Sequence, residues 1–302
     1  MGKLKYILIL GIVIFLIGVG IFSYPFIKSV QNDRAQTSVI YDVDAAMARL
    51  DTETVERMWA EARAYNDSLT GLGKAILDDE YIFAPTEDNY LSCLNFANGT
   101  MGYLEIPKID VSLPIYHGTT DETLSKGVGH IYGTSLPIGG EGTHAALTSH
   151  SGLADAVLFS HLDELEAGDV FFIHVIDAVL SYRVDEIRVV EPHEVSSLVP
   201  VEGEDHVTLI TCYPVTINTH RLLVRGTRAK ELEEQTKTDV QSESGVHVTR
   251  RENVFGTTSE DTQEQLSERE TVRRIYIGAG ALTAVFIVLL IISIINWRRR
   301  KS

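Results

Sequence analysis

Thr208-Leu209-Ile210-Thr211-Cys212 is a run of β-branched and apolar residues that ends in a cysteine and is followed at once by Tyr213-Pro214. Thr and Ile lose rotamer freedom in a helix and pack well on a pleated strand. A proline lacks the N–H that a central strand would use. The run is therefore predicted to be a strand that stops near Tyr213, with the thiol of Cys212 at its end beside a loop. The same texture extends outward over residues 101–228, where short runs rich in Val, Ile, Tyr and Thr are separated by Gly, Pro and Asp. Strands are predicted at 102–106, 145–148, 170–175, 179–184, 187–190, 207–211 and 221–226. Short strands without intervening helices point to a closed barrel or a sandwich.

Upstream, Met47, Leu50, Val55, Met58, Ala62, Tyr65 and Leu69 recur at close to helical spacing with Asp, Glu and Arg between them. This predicts one amphipathic helix over 44–69 whose apolar stripe packs on the β-rich region. Gly71, Gly73, Asp78, Asp79, Pro85, Asp88 and Asn89 then break regularity, so 71–89 is predicted to be a long loop, a kind that is uncommon and frequently functional. Beyond residue 230 the chain is rich in Glu, Gln, Thr and Ser until Arg273 and reads as a solvated tether.

Both ends are apolar. Residues 6–22 are almost wholly Ile, Leu, Val, Phe and Gly, and Tyr24, Pro25 and Phe26 prolong the run toward Lys28. A bilayer crossing needs roughly 20 apolar residues, so a membrane anchor is predicted. A cleaved signal peptide would share the positive start at Lys3 and Lys5, but no small-x-small cleavage site follows. Residues 275–295 form a second uncharged run that ends in Asn296, Trp297, Arg298, Arg299, Arg300 and Lys301. Basic residues beyond both runs place the termini inside and the middle outside, although Arg273 and Arg274 weaken the contrast at the second run.

Residues 29–272 hold 17 basic and all 42 acidic residues, a net charge of −25. Nucleic acid is excluded as a partner by that balance. No phosphate-cradling glycine loop, HExxH pattern or calcium loop is present, so no cofactor and no metal is expected. With only Cys93 and Cys212, the middle region is not a disulfide scaffold.

A cysteine at a strand end reads equally as a small buried hydrophobe and as a nucleophile, and its neighbours decide. Nucleophilic chemistry needs a thiolate, a group that gives a proton to the leaving amine, and a donor for the oxyanion. His150, in Leu147-Thr148-Ser149-His150-Ser151-Gly152-Leu153, follows a predicted strand and precedes a glycine turn. It is the best-placed acid and base, with His117, His130, His144 and His220 as rivals. Arg221 opens the strand after the loop 213–220, so a hairpin-like return would bring its guanidinium beside Cys212. Arg225 and Arg228 compete on the same strand. A β-domain that only binds partners, with Cys212 in its core, is the non-enzymatic alternative. A serine hydrolase using Ser149 or Ser151 lacks the Gly-x-Ser-x-Gly pattern.

At these residues the sequence resembles the sortase family. TLITC (208–212) is similar to its Thr-Leu-x-Thr-Cys signature and INTHRLLVRGTR (217–228) to the strand that carries its arginine. The resemblance extends through MGYLEIPKI (101–109), LTSHSGL (147–153) and LDELEAGD (162–169). With two apolar runs and a helical segment before the core, it is most like class C, the pilin-polymerising enzymes of Gram-positive bacteria. The resemblance implies an eight-stranded sortase-type β-barrel and a cysteine transpeptidase with Cys212 as nucleophile, His150 as acid and base, and Arg221 at the oxyanion. The implied substrates are pilins or surface proteins carrying a Leu-Pro-x-Thr-Gly-like sorting signal. The implied acceptor is a pilin lysine amine, the alternative being a peptidoglycan amine that anchors proteins to the wall.

On this reading the chain comprises an anchor (1–28), a helical segment with a lid (29–99), the barrel (100–230), an acidic linker (231–274) and a second membrane helix with a basic tail (275–302). Class C enzymes resemble one another in a lid with an Asp-Pro-aromatic tip. No such tripeptide occurs in 71–89, where Asp79, Tyr81 and Phe83 offer similar chemistry in another order. Cys93, among apolar neighbours, is expected to pack in the core in preference to forming a redox lock with Cys212.

Overall fold

Eight strands close on themselves in the computed structural model, which describes residues 2–69, 88–96, 99–192, 194 and 196–233. They are β1 (Thr100–Ile106), β2 (Val111–His117), β3 (Val128–His130), β4 (Thr143–Thr148), β5 (Val170–Val175), β6 (Ala178–Val190), β7 (Asp205–Tyr213) and β8 (His220–Arg228). Their order around the barrel is β1-β2-β3-β4-β7-β8-β6-β5, with β5 returning to β1. Only β2/β3 and β4/β7 are parallel pairs. A parallel neighbour needs a crossover instead of a hairpin, and α4 (Asp121–Lys126) lies in the one between β2 and β3. The chain divides into two units, Met1–Asp239, which holds every described element, and Val240–Ser302.

Strand parity sorts the side chains. Val207 and Leu209 of β7, Leu222 and Val224 of β8, and Ala145 and Leu147 of β4 point into the barrel and join the main core. Each large aliphatic side chain buried there contributes about 1.5–3 kcal/mol. The alternate residues Ala146, Ile210 and Leu223 point outward and form a second, smaller cluster with Ile131, Val190 and Leu198.

The strand predicted at 170–175 has those bounds, whereas the segments at 179–184 and 187–190 are the single strand β6. Its ladder with β8 shifts register between Val184 and Glu186. Asp185, which reads locally as a strand break, is the extra residue of a bulge, and its carboxylate accepts from Arg225 and Thr227 across the ladder. β2 and β3 have no counterpart in the sequence reading. β2 carries Pro114, one residue before the stretch paired with β3, and β3 is the three residues Val128, Gly129 and His130.

The single helix predicted over 44–69 is two. α1 (Gly2–Met47) ends in a turn at Ala48 and Arg49, and α2 (Thr52–Ser68) begins afresh. The carboxylate of Asp51 accepts from the Thr54 N–H at 2.7 Å and caps the second helix, an arrangement worth about 1 kcal/mol. The apolar face itself is the predicted one, since Ala62 and Tyr65 enter the main core and Met47, Leu50, Val55, Met58 and Leu69 pack against it. Asn66 fixes the docking by bonding both main-chain groups of Leu136. Asp88 and Asn89, predicted to be loop, begin the short helix α3 (Asp88–Ser92). Residues 71–87 of the predicted lid, most of the linker and the second apolar run lie outside the described residues.

Candidate active site

The outer face of β4, β7 and β8 carries the site. In the antiparallel β7/β8 ladder Cys212 is paired with Arg221, so the two side chains leave the sheet on one side at neighbouring positions. In the parallel β4/β7 ladder Thr148 is level with Ile210. His150 follows Thr148 by two residues, as Cys212 follows Ile210.

Hydrogen bonds carry that register past the last strand pair. The Ser149 N–H donates to the Ile210 carbonyl at 3.2 Å, the Thr211 hydroxyl to the Ser149 carbonyl at 2.9 Å, and the Ser151 hydroxyl to the Cys212 carbonyl at 2.8 Å. His150 is thus bracketed by two residues tied to the Cys212 strand, and its own carbonyl accepts from the Phe159 N–H at 3.0 Å. Gly152 turns the chain away with φ +72°, and a Cβ there would lie 2.7 Å from Cγ1 of Val215. Only a glycine lets the two loops approach so closely in that conformation. On the other side, the Pro214 carbonyl accepts from Ile217 and Asn218, both at 3.0 Å, and closes the turn into β8. The Tyr213-Pro214 peptide is cis.

The rivals separate by their partners. Arg225 is committed to Asp185 and Glu186, and Arg228 to Asp205 and Glu233. The Arg221 guanidinium donates only to main-chain carbonyls, of His220 at 3.0 Å and Asn218 at 3.4 Å, and has no carboxylate partner among the described residues. Its positive charge is left for an anionic group. His130 and His144 are buried, and burial above all pushes each down to about 4. His117 bonds the Cys93 carbonyl at 2.8 Å and is lowered for the same reason. His220 is exposed beside Thr219.

The two cysteines also differ. Both are free thiols, but Cys93 is buried in the core, which pushes its thiol pKa up, whereas Cys212 is half-buried, as are His150 and Arg221. Ser149 and Ser151 spend their hydroxyls on the carbonyls of Gly127 and Cys212, so neither is poised as a nucleophile. Sequence reasoning missed that these hydroxyls hold the site together; the cluster Thr148-Ser149-His150-Ser151 was the available signal. It also missed the apolar floor of Ile210, Leu223 and Leu198 leading up to Cys212. Among the described residues no His, Cys, Asp and Glu side chains gather as a metal site.

The sortase domain family model matches residues 104–229. Over 64% of its length the chain is similar to the crystal structure of sortase C-1 from Streptococcus pneumoniae, at 43% identity and a TM-score of 0.59, covering 98% of that chain. A pilus-related sortase C of Group B Streptococcus is 42% identical with a TM-score of 0.55, over 63% of this chain and 96% of that one. Sortase A of Bacillus anthracis is 25% identical over 236 residues, 76% of this chain and 100% of that protein. With this likeness running along nearly the whole length of sortases C, the chain belongs to the sortase family of cysteine transpeptidases.

Proposed function

We propose that the chain is a pilin-polymerising sortase that uses Cys212, His150 and Arg221. The observation that carries this reading is the pairing of Cys212 with Arg221, with His150 held between two residues bonded to the Cys212 strand. Cys212 as thiolate attacks the Thr carbonyl carbon of a Leu-Pro-x-Thr-Gly-like signal. Arg221 stabilises the oxyanion, which forms beside an unspent cation. The Thr–Gly C–N bond breaks as His150 gives its proton to the Gly amine, leaving a thioester on Cys212. A lysine amine then attacks the thioester, His150 takes the amine proton, and the thiolate leaves as the isopeptide bond forms.

Pilin as substrate is supported by the 42–43% identity to sortases C, one of them pilus-related, against 25% to a sortase A. α1 serves as the membrane anchor. It is long and apolar enough to cross a bilayer, and Ile9, Leu10, Ile14, Ile17, Ile21 and Phe22 are exposed. The barrel then lies on the outer side, a placement supported by Lys3 and Lys5 before the first apolar run and the basic cluster 298–301 after the second.

The test is a fluorogenic sorting-signal peptide offered with a pilin lysine and with a peptidoglycan cross-bridge amine. Wild type is expected to cleave the peptide and pass it preferentially to lysine, and Cys212→Ala to do neither. Transfer that survives Cys212→Ala would refute the reading, and preference for the cross-bridge amine would reassign the acceptor.

A further inference from the structure

Several exposed apolar side chains of the barrel lie close to the site. Leu153 (38% exposed) and Val157 (42%) stand on the segment that leaves His150, and Ile217 (66%) stands on the neighbouring β7–β8 turn. The two loops touch where Val215 meets Gly152. The same segment is held by α1, for the Asn32 side-chain amide donates to the Asp155 carbonyl at 2.8 Å, midway between Leu153 and Val157.

Along α1 the environment changes just before that contact. Up to Ile27 most of the described large apolar residues are exposed, among them Ile14, Ile17, Ile21, Phe22 and Ile27. From Asn32 onward the half-buried or buried positions Asn32, Gln36, Val39, Ile40, Val43 and Met47 recur at helical spacing, which is the face that packs on the barrel. Lys28, where the apolar run ends, and Asn32 are separated by about 6 Å along the axis at the helical rise of 1.5 Å per residue. The headgroup layer on one side of a bilayer is roughly 5–8 Å deep. A loop fixed to Asn32 therefore lies at that layer whenever the run before Lys28 lies in the hydrocarbon.

We propose that Leu153, Val157 and Ile217 form a lipid-contacting surface that seats the two loops flanking Cys212 on the headgroup layer of the bilayer. The proposal rests on α1 being the membrane anchor. The occupant is lipid because the Asn32 contact ties the patch to α1 only four residues beyond Lys28, where the apolar run ends. The single carboxylate of Asp155 between the apolar side chains limits the seat to the headgroup boundary, where a charge stays hydrated. A peptide presented at the lipid surface would then meet Cys212 at a raised effective concentration.

The test uses the full chain carrying Cys93→Ala and Cys212→Ala, with one new thiol at Val157→Cys bearing an environment-sensitive fluorophore, in vesicles of phosphatidylglycerol and phosphatidylcholine. Val179→Cys is the reference, equally exposed at 39% and eleven residues along β6 from Val190, the partner of Arg221. Lipid spin-labelled near the headgroup is expected to quench the Val157 probe about threefold more than the Val179 probe, as an interfacial contact requires. A probe at Leu153→Cys should follow Val157, so that one poorly folding variant does not decide the matter. Equal quenching at Val157 and Val179 in chains that resist carbonate extraction overturns the lipid seat alone. Chains that carbonate removes from the vesicles overturn the anchor and the seat together.

Discussion

Cys212 and Arg221 face each other across the β7/β8 ladder at the strand ends, with the guanidinium bonded, among the described residues, only to main-chain carbonyls. On the other side of β7, the ladder with β4 ends at Thr148 and Ile210, two residues before His150 and Cys212 respectively. If Arg221 stabilises the oxyanion, Arg221→Ala should lower kcat by about 10²–10³-fold, as for loss of an oxyanion donor. Arg221→Lys should recover only part, because an ammonium lacks the planar fork. Arg225→Ala, whose partners are Asp185 and Glu186, should leave kcat near wild type and cost about 1 kcal/mol or less. Steady-state peptide cleavage separates the two; equal losses at 221 and 225 would sink the assignment.

Ser151 acts through its bond to the Cys212 carbonyl. If Cys212 is the nucleophile, Ser151→Ala should cost about 1 kcal/mol of stability and lower kcat with KM little changed, because the bond orients the main chain of Cys212. Ser151→Thr keeps the hydroxyl and should restore most of kcat. A loss confined to KM would contradict this role.

At Gly152 the backbone sits at φ +72° and a Cβ would meet Val215 at 2.7 Å. Gly152→Ala should destabilise by about 1–2 kcal/mol through the left-handed conformation alone, with the contact added. Gly152→Ala with Val215→Ala should recover the contact part and retain the conformational part. Urea unfolding of the two variants gives the split, and full recovery in the double variant would show that conformation contributes nothing.

His130 is wholly buried between β3 and the helical segment. Its Nε2–H donates to the Ser135 carbonyl at 2.8 Å, which leaves Nδ1 to accept from the Tyr90 hydroxyl at 2.9 Å. Burial pushes its pKa down to about 4, so the unfolded chain takes up this proton near pH 6.5 and the folded chain only near 4. Stability is therefore lost as pH falls through that window, by up to about 3 kcal/mol for this one group. Urea midpoints measured from pH 7 to pH 4 should fall more steeply in wild type than in His130→Gln. Parallel curves would rule the histidine out as the titrating group.

What was legible in the sequence was local. The β-branched, apolar runs at 207–211 and 221–226 mark strands because Val, Ile and Thr pack well on a pleated surface, and the strands extend beyond them to Asp205–Tyr213 and His220–Arg228. The stripe from Met47 to Leu69 marks a packing face, although the break at Ala48 and the cap at Asp51 were hidden by a periodicity that continued across them. β3 was illegible because three residues, one of them glycine, carry too little pattern, and it is held by its neighbours on both sides. The bulge at Asp185 misled because a charged residue inside a strand looks like an ending until its partners Arg225 and Thr227 are in view.

By itself the sequence determined that a β-rich domain follows an apolar helix, and that Cys212 closes a strand beside a loop. It also supplied the candidates, five histidines and three arginines, because residue types and strand ends are local properties. Only the tertiary structure decided their surroundings, namely which histidines are buried and which arginines are paired with carboxylates. Ser149 and Thr211 are 62 residues apart and bonded, and it is such contacts, set by strand register between distant segments, that tie the neighbours of His150 to the Cys212 strand and bury His130 and His144. Register depends on how two whole faces pack, and no stretch read alone contains both faces.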